Sequence, residues 1–263
     1  MCTLVILRRP NHPWPLLVAA NRDEMLARAW EAPARHWPDR PATTGGLDRK
    51  AGGSWLGLND HGVICGVLNR TGALGPEKRK RTRGELVLEA LEHADASLAV
   101  EALAGIDGRS YRPFNLLVAD NRDAFWIAHR DDQKVNAIEV GAVSSGISML
   151  TAHDLNDETS PRIRNFLPRF CQSAEPDPNT NNWSGWKDLL ASRFHDSKDG
   201  PTESMNIVTD FGFGTSSSSL IALPAAAEKD KFPIWNFASC HPDSEDYWPI
   251  PLKPGTADRK AAV

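Results

Sequence analysis

The chain has 263 residues, 41% of them hydrophobic, and a formal charge of −4, so it can bury a sizeable core and projects no strong field toward nucleic acid or an anionic membrane surface. No apolar stretch approaches the roughly eighteen residues of a membrane span, and no basic segment followed by an apolar one marks a leader, so membrane insertion is not expected. Four cysteines (Cys2, Cys65, Cys171 and Cys240) without a C-x-x-C spacing and eight scattered histidines predict reduced thiols, a cytoplasmic location and no metal site.

In chain order, Thr3 to Leu7 and Leu16 to Ala20 are short apolar runs separated by Asn11-His12-Pro13 and Pro15, which predicts a hairpin. Folding about His12 sets Cys2 opposite Arg22 or Asp23, and directly opposed Cβ atoms lie roughly 4.5 to 5.5 Å apart. A guanidinium there is expected to lower the thiol pKa from its free value of about 8.5, and Asp23 to hold the terminal amine. If Met1 is removed, Cys2 carries both a thiol nucleophile and an α-amine base. Seen singly, Cys2 is a small hydrophobe at a chain end and Arg22-Asp23 a solvated turn. Their meeting on facing strands favours the catalytic reading.

Ser54 to Asn59 and Val63 to Asn69 form a second expected hairpin about Asp60-His61-Gly62, with Asn69 opposite Gly52 and Gly53, where missing side chains leave room for substrate or for close backbone approach. The basic run Lys78 to Arg83 reads first as a solvated loop, and as an anion site it suits a phosphate-bearing small molecule such as a coenzyme A ester better than DNA. Thr82 and Glu85 have capping-box spacing ahead of Leu86, Ala90, Leu91 and Ala94. Phe114 to Asp120 and Ala124 to His129 predict a third hairpin. Ser160-Pro161 supplies a cap and a first-turn proline for Ile163, Phe166, Leu167 and Phe170. Ala174 to Asn182 reads as a surface loop and Trp183 to Phe194 as a helix. Several strands are apolar on successive residues, as in sheets covered on both faces. The nine tryptophans read as core or pocket lining, and a Trp-lined apolar pocket suits hydrophobic acyl groups. One domain is expected over residues 1–251, with an extended or mobile tail at 252–263, and Cys65, Cys171 and Cys240 are expected to be buried and inert.

The opening MCT, the ANRDE segment at Ala20 to Glu24, GGSWLGLN at Gly52 to Asn59 and GTSSSS at Gly214 to Ser219 resemble the NRDE family, also called the transport and Golgi organisation family. That family resembles the N-terminal nucleophile hydrolases of the choloylglycine hydrolase and penicillin acylase type. The resemblance implies an α+β fold, a four-layer αββα sandwich of two mainly antiparallel sheets. It implies Cys2 as nucleophile, with Arg22 and Asp23 to tune and orient it. Asn59 to Gly62 and Gly66 to Asn69 are similar to the N-x-x-G and G-x-x-N pattern of choloylglycine hydrolases, which makes Asn69 the oxyanion donor; an ordinary strand-end Asn is the competing reading.

Where the hydrolases carry a mid-chain Asn, this chain has His153 and Asp154, either of which can take that place or serve as a turn residue. Many relatives have Arg after the Thr of the GT segment; with Ser216 there, a cation expected near the site is absent. Asn21, His153, Asp154, Thr215 and Ser216 are the expected binding residues. The implied activity is hydrolysis of a small amide or acyl (thio)ester without metal or organic cofactor. No C-x-x-C-H haem motif is present. The alternative implied by the family is a non-catalytic scaffold that binds or carries haem or acyl-CoA and lipid.

Overall fold

A computed structural model describes residues 2–130, 138–239 and 247–252. Six strands form one sheet in the order β10 (Gly146–Leu150), β1 (Thr3–Arg8), β2 (Leu16–Met25), β11 (Phe213–Leu223), β12 (Ile234–Ser239) and β13 (Trp248–Pro249). Seven strands form the second in sequence order: β3 (Trp30–Ala34), β4 (Thr43–Asp48), β5 (Leu56–Asn59), β6 (Ile64–Asn69), β7 (Phe114–Ala119), β8 (Ala124–His129) and β9 (Ile138–Ala142). All these neighbouring strands pair antiparallel. The helices are α1 (Gly84–Ala90), α2 (Ala96–Ala104), α3 (Pro161–Gln172) and α4 (Ser184–Leu190).

Three apolar cores separate four layers. Leu4, Ile6, Val18, Leu56, Ile64 and Leu117 fill the space between the sheets. Val5, Leu17, Phe166, Phe170 and Trp186 join the first sheet to α3 and α4, and Cys65, Leu86, Ala99, Leu103 and Leu116 join the second to α1 and α2. Each central strand thus buries both faces, which is why β2 is buried without interruption from Leu16 to Asp23. The αββα sandwich expected from the resemblance is the observed architecture.

The three expected hairpins form. In the first, Thr3 pairs with Asn21 and Arg8 with Leu16, around a turn in which Asn11 takes a positive φ of 69°. Ser160 caps α3 by accepting from the Ile163 N–H, with Pro161 in the first turn.

Other local expectations fail for identifiable reasons. Thr82 and Glu85 form no capping box: the residue preceding α1 is Arg83, whose side chain does not cap it, Thr82 Oγ1 accepts only from the Gly84 N–H at 3.4 Å, and the Glu85 carboxylate is taken by Arg81 at 2.8 Å. Ala94 is exposed because α1 ends at Ala90 and the chain re-enters a helix at Ala96, capped by the Asp95 carboxylate on the Leu98 N–H at 2.9 Å. The expected 183–194 helix is limited to α4: Ala191 caps it by donating to Lys187 C=O at 2.9 Å, and the next residue, Ser192, gives its C=O to the Asn206 N–H at 2.9 Å. Cys171 is exposed on the outer end of α3, contrary to its expected burial; Cys65 is buried, and Cys240 lies outside the described residues, as does the tail from 253 onward. Leu252 still packs against the core between the sheets.

At Gly53 the missing side chain serves backbone approach and not substrate. A Cβ there would lie 2.5 Å from the Gly84 carbonyl carbon, and the Ser54 N–H donates to Gly84 C=O at 3.1 Å. Gly53→Ala should therefore push α1 off the sheet and cost about 1–3 kcal/mol. Equilibrium urea unfolding measures it, and a cost within 0.5 kcal/mol, the range of an ordinary surface change, would contradict the contact.

Candidate active site

Cys2 lies just ahead of β1, and the register that places Thr3 against Asn21 brings it to the Arg22-Asp23 end of β2. Its half-buried Sγ accepts from the Asp23 N–H at 3.4 Å and points back at Asp23 C=O at 3.5 Å. Burial pushes the thiol pKa up and the Asp23 carboxylate pushes it further, against weaker opposing effects from the Asp23 N–H and Arg22. The net direction is upward, opposite to the sequence expectation. The reason lies in what Arg22 does with its charge. Its Nη1 donates to Ser216 Oγ at 2.9 Å, its guanidinium stacks over the Trp55 ring at 4.5 Å, and Glu24 approaches at 3.9 Å. Burial lowers the pKa of Arg22 itself, and the guanidinium, still a cation, acts as a stacked clamp.

Asp23 is anchored from the opposite side of the sheet. Its Oδ2 accepts from Arg162 Nη1 at 2.9 Å and its Oδ1 from Thr215 Oγ1 at 2.6 Å. The same Arg162 Nη1 donates to Thr3 Oγ1 at 2.8 Å, and Nη2 to Thr202 C=O at 2.7 Å. Side-chain exposure is 1% for Arg162 and 0% for Asp23, so this is a fully desolvated pair. A cation is therefore present beside the site, contrary to the expectation from Ser216; α3 supplies it. Arg162 was not among the expected site residues, because it follows the first-turn proline and reads as an ordinary helix start. The available signal was an Arg directly beside Ile163 at the head of the buried Ile163, Phe166 and Phe170 face, a position that requires a partner.

The other expected residues separate into distinct groups. Asn21 is a buried brace: its Nδ2 donates to Leu190 and Met205 C=O at 3.0 and 2.9 Å, and its Oδ1 accepts from Ser218 Oγ, so its amide is committed to holding α4. Thr215 is likewise committed, accepting from the Ile207 N–H at 2.8 Å while donating to Asp23. A bulge between Thr215 and Ser217 turns Ser216 toward β2, where its Oγ meets Arg22. Asn69 ends β6 opposite Phe114, half-buried, and its side chain has no hydrogen bond among the described residues.

His153 and Asp154 belong to a separate cluster. Asp154 pairs with Arg70 and with Arg130, each at 2.7 Å; burial raises its pKa, but these two guanidinium groups hold it below the usual carboxylate range. His153 sits within 3.6 Å of Asp157, and its carbonyl accepts from Asn115 Nδ2 at 2.6 Å. These contacts make both residues part of a loop anchor.

A cleft beside Cys2 is lined by Leu4, Arg22, Trp55, Leu56, Val67 and Leu68 and encloses about 20 Å³. That is room for about one water molecule. The apolar, Trp-lined character expected from the sequence is present, whereas a pocket for a whole acyl group, typically ~300 Å³ or more, is not enclosed.

The order and layering of the two antiparallel sheets are shared with solved structures of low sequence identity. A Caenorhabditis elegans orthologue of N-acylethanolamine-hydrolysing acid amidase superposes with a TM-score of 0.55 at 14% identity, covering 95% of this chain and 100% of that one. A mutant of the conjugated bile acid hydrolase from Clostridium perfringens gives 0.53 at 12% identity, covering 95% and 92%. At such identities the likeness is one of fold. The family model described as Transport and Golgi organisation 2 matches residues 1–225, and the chain belongs to that family. The Transport and Golgi organization protein 2 homologues of Bos taurus and Homo sapiens are each 36% identical over 115 residues, covering 42% of this chain and 40% of theirs, so the chain spans about two fifths of the length of these curated relatives. Among the described residues no helix is long and apolar enough to cross a membrane.

The buried pair predicts strong coupling. Arg162→Met or Asp23→Asn alone should cost about 3–5 kcal/mol by stranding a desolvated charge, and Asp23→Leu/Arg162→Met together should cost less than the sum. Urea unfolding of the single and double variants checks this, and strictly additive losses would show that the pair does not act as a unit. The thiol direction makes a second expectation. At pH 7 iodoacetamide should modify exposed Cys171 first and Cys65 not at all. Modification of Cys2 should rise with pH beyond the ordinary thiol range, and Arg22→Ala, which removes an acidifying charge, should slow it further. Peptide mass spectrometry against pH gives the answer.

Proposed function

We propose that the chain is an N-terminal cysteine hydrolase acting on a small amide or acyl (thio)ester, with Cys2 as nucleophile once Met1 is removed. The observation that carries this reading is the seating of the Cys2 thiol on the Asp23 backbone, beside Arg22, in an apolar cleft whose rear is fixed by the Asp23 and Arg162 pair. A thiol whose pKa is raised by burial is protonated at rest and needs a base close at hand. The free α-amine of Cys2 is that base.

In the forward step the α-amine takes the thiol proton and sulfur bonds to the substrate carbonyl carbon. Asn69 and backbone N–H groups receive the developing oxyanion. The tetrahedral species collapses by breaking the bond to the leaving group, an amine taking the proton held on the α-ammonium. Water, deprotonated by the same amine, then attacks the thioester, releasing the acid and returning the proton to sulfur. Arg22 holds the cleft wall through Trp55 and Ser216, and Asp23 holds the backbone on which the thiol rests. Described cysteines are all free thiols, which supports action in a reducing, cytoplasmic compartment.

The narrow cleft favours a second reading, a scaffold of the same fold that carries haem or acyl-CoA at its surface without turnover. Intact mass and kinetics separate the two. The hydrolase reading expects Met1 to be absent, chromogenic phenylacetyl or medium-chain acyl amides or thioesters to turn over, and Cys2→Ala to abolish turnover by at least about 100-fold. Retention of Met1, with the same compounds bound but intact, would favour the carrier.

A further inference from the structure

The basic run from Lys78 to Arg83 does not behave as one solvated patch. Lys80 Nζ donates to Arg109 C=O at 2.7 Å, and Arg81 pairs with Glu85 at 2.7 Å. Arg83 differs from both. It is half-buried, and a single nitrogen, Nη1, donates to Ala73 and Pro113 C=O, both at 2.9 Å. Nε and Nη2 have no hydrogen-bond partner, and the guanidinium has no carboxylate within ion-pair distance, among the described residues.

Its neighbours in the chain adjoin segments that carry residues of the Cys2 cleft. Pro113 immediately precedes Phe114, the cross-strand partner of Asn69, and Gly84, the residue after Arg83, is packed on Gly53 and Ser54, next to the cleft residue Trp55. Burial and then the charge of Arg112 lower the pKa of Arg83 to about 10, with smaller opposing contributions from Cys2 and Glu24. A guanidinium this far out of water normally has a carboxylate partner. Here two adjacent donors of its planar fork are left over, the arrangement that binds a carboxylate or phosphate bidentately.

We propose that Arg83 is an anion-binding residue of the Cys2 site, selecting substrates that carry a carboxylate or phosphate group near the reacting carbonyl. The substrate half of this statement rests on the hydrolase reading; the anion half does not, because it can be measured on the thiol alone.

The probes are iodoacetate and iodoacetamide, which differ by one negative charge and alkylate the same sulfur. In Cys171→Ser protein, where the exposed thiol no longer competes, the ratio of iodoacetate to iodoacetamide rates at Cys2 should fall about threefold or more on Arg83→Gln. Arg83→Lys, which keeps the charge, should restore most of the ratio, which a merely structural role for Arg83 would not do. The iodoacetamide rate is the control, since it follows the thiolate fraction. Inorganic phosphate that slows iodoacetamide in the parent but not in Arg83→Gln assigns the group as phosphate, and acetate doing so assigns it as carboxylate. A ratio unchanged by Arg83→Gln overturns the proposal. Failure of acyl substrates to turn over while the ratio behaves as expected overturns only the hydrolase reading.

Discussion

A carboxylate and a guanidinium removed from water meet at the centre of this molecule, and much of the architecture near Cys2 is arranged around them. Asp23 sits near the end of β2, between β1 and β11, and its two oxygens take donors from Arg162 and Thr215. Arg162 in turn binds Thr3 of β1 and the Thr202 carbonyl. Such a pair stabilises only if its remaining hydrogen-bonding positions are filled, because the desolvation of each ion costs several kcal/mol. The hydroxyls of Thr3 and Thr215 and the Thr202 carbonyl take up several of them. The strand that follows Cys2, the strand carrying Asp23 and the helix layer are thereby tied to one point, with Cys2 Sγ 3.4 Å from the Asp23 N–H.

This arrangement divides labour between two arginines in a way their positions in the chain do not suggest. Arg22 lies next in line to Asp23 but projects to the opposite face, as alternate residues of a strand must, and meets Trp55 and Ser216 between the sheets. Arg162 faces Asp23 on the helix side. The thiol therefore lies close to one cation whose charge is spread over an aromatic ring and a hydroxyl, and burial outweighs it.

The family match over residues 1–225 and the αββα fold agree with each other, while the activity of relatives known at 12–14% identity does not transfer by fold alone. The bulge beside Ser216 gives Arg22 a hydroxyl partner, and the buried cation comes from α3.

The order of strands in each hairpin, their burial on both faces and the meeting of Cys2 with Arg22 and Asp23 were legible in the sequence, because they depend on turn residues and apolar runs close together in the chain. The start of α3 was legible for the same reason, since Ser160 and Pro161 act on the turn that follows them. The capping of α1 was not: Glu85 has the right spacing to Thr82, but Arg81 offered a charged donor where Thr82 offered only its backbone N–H. The shift of the thiol pKa, the commitment of Asn21 to α4, the closeness of Gly53 to Gly84 and the pairing of Arg162 with Asp23 across 139 residues were decided by tertiary packing. Each depends on how much water is excluded around a group and on which distant donor arrives to replace it, and neither quantity has a signature within a single segment.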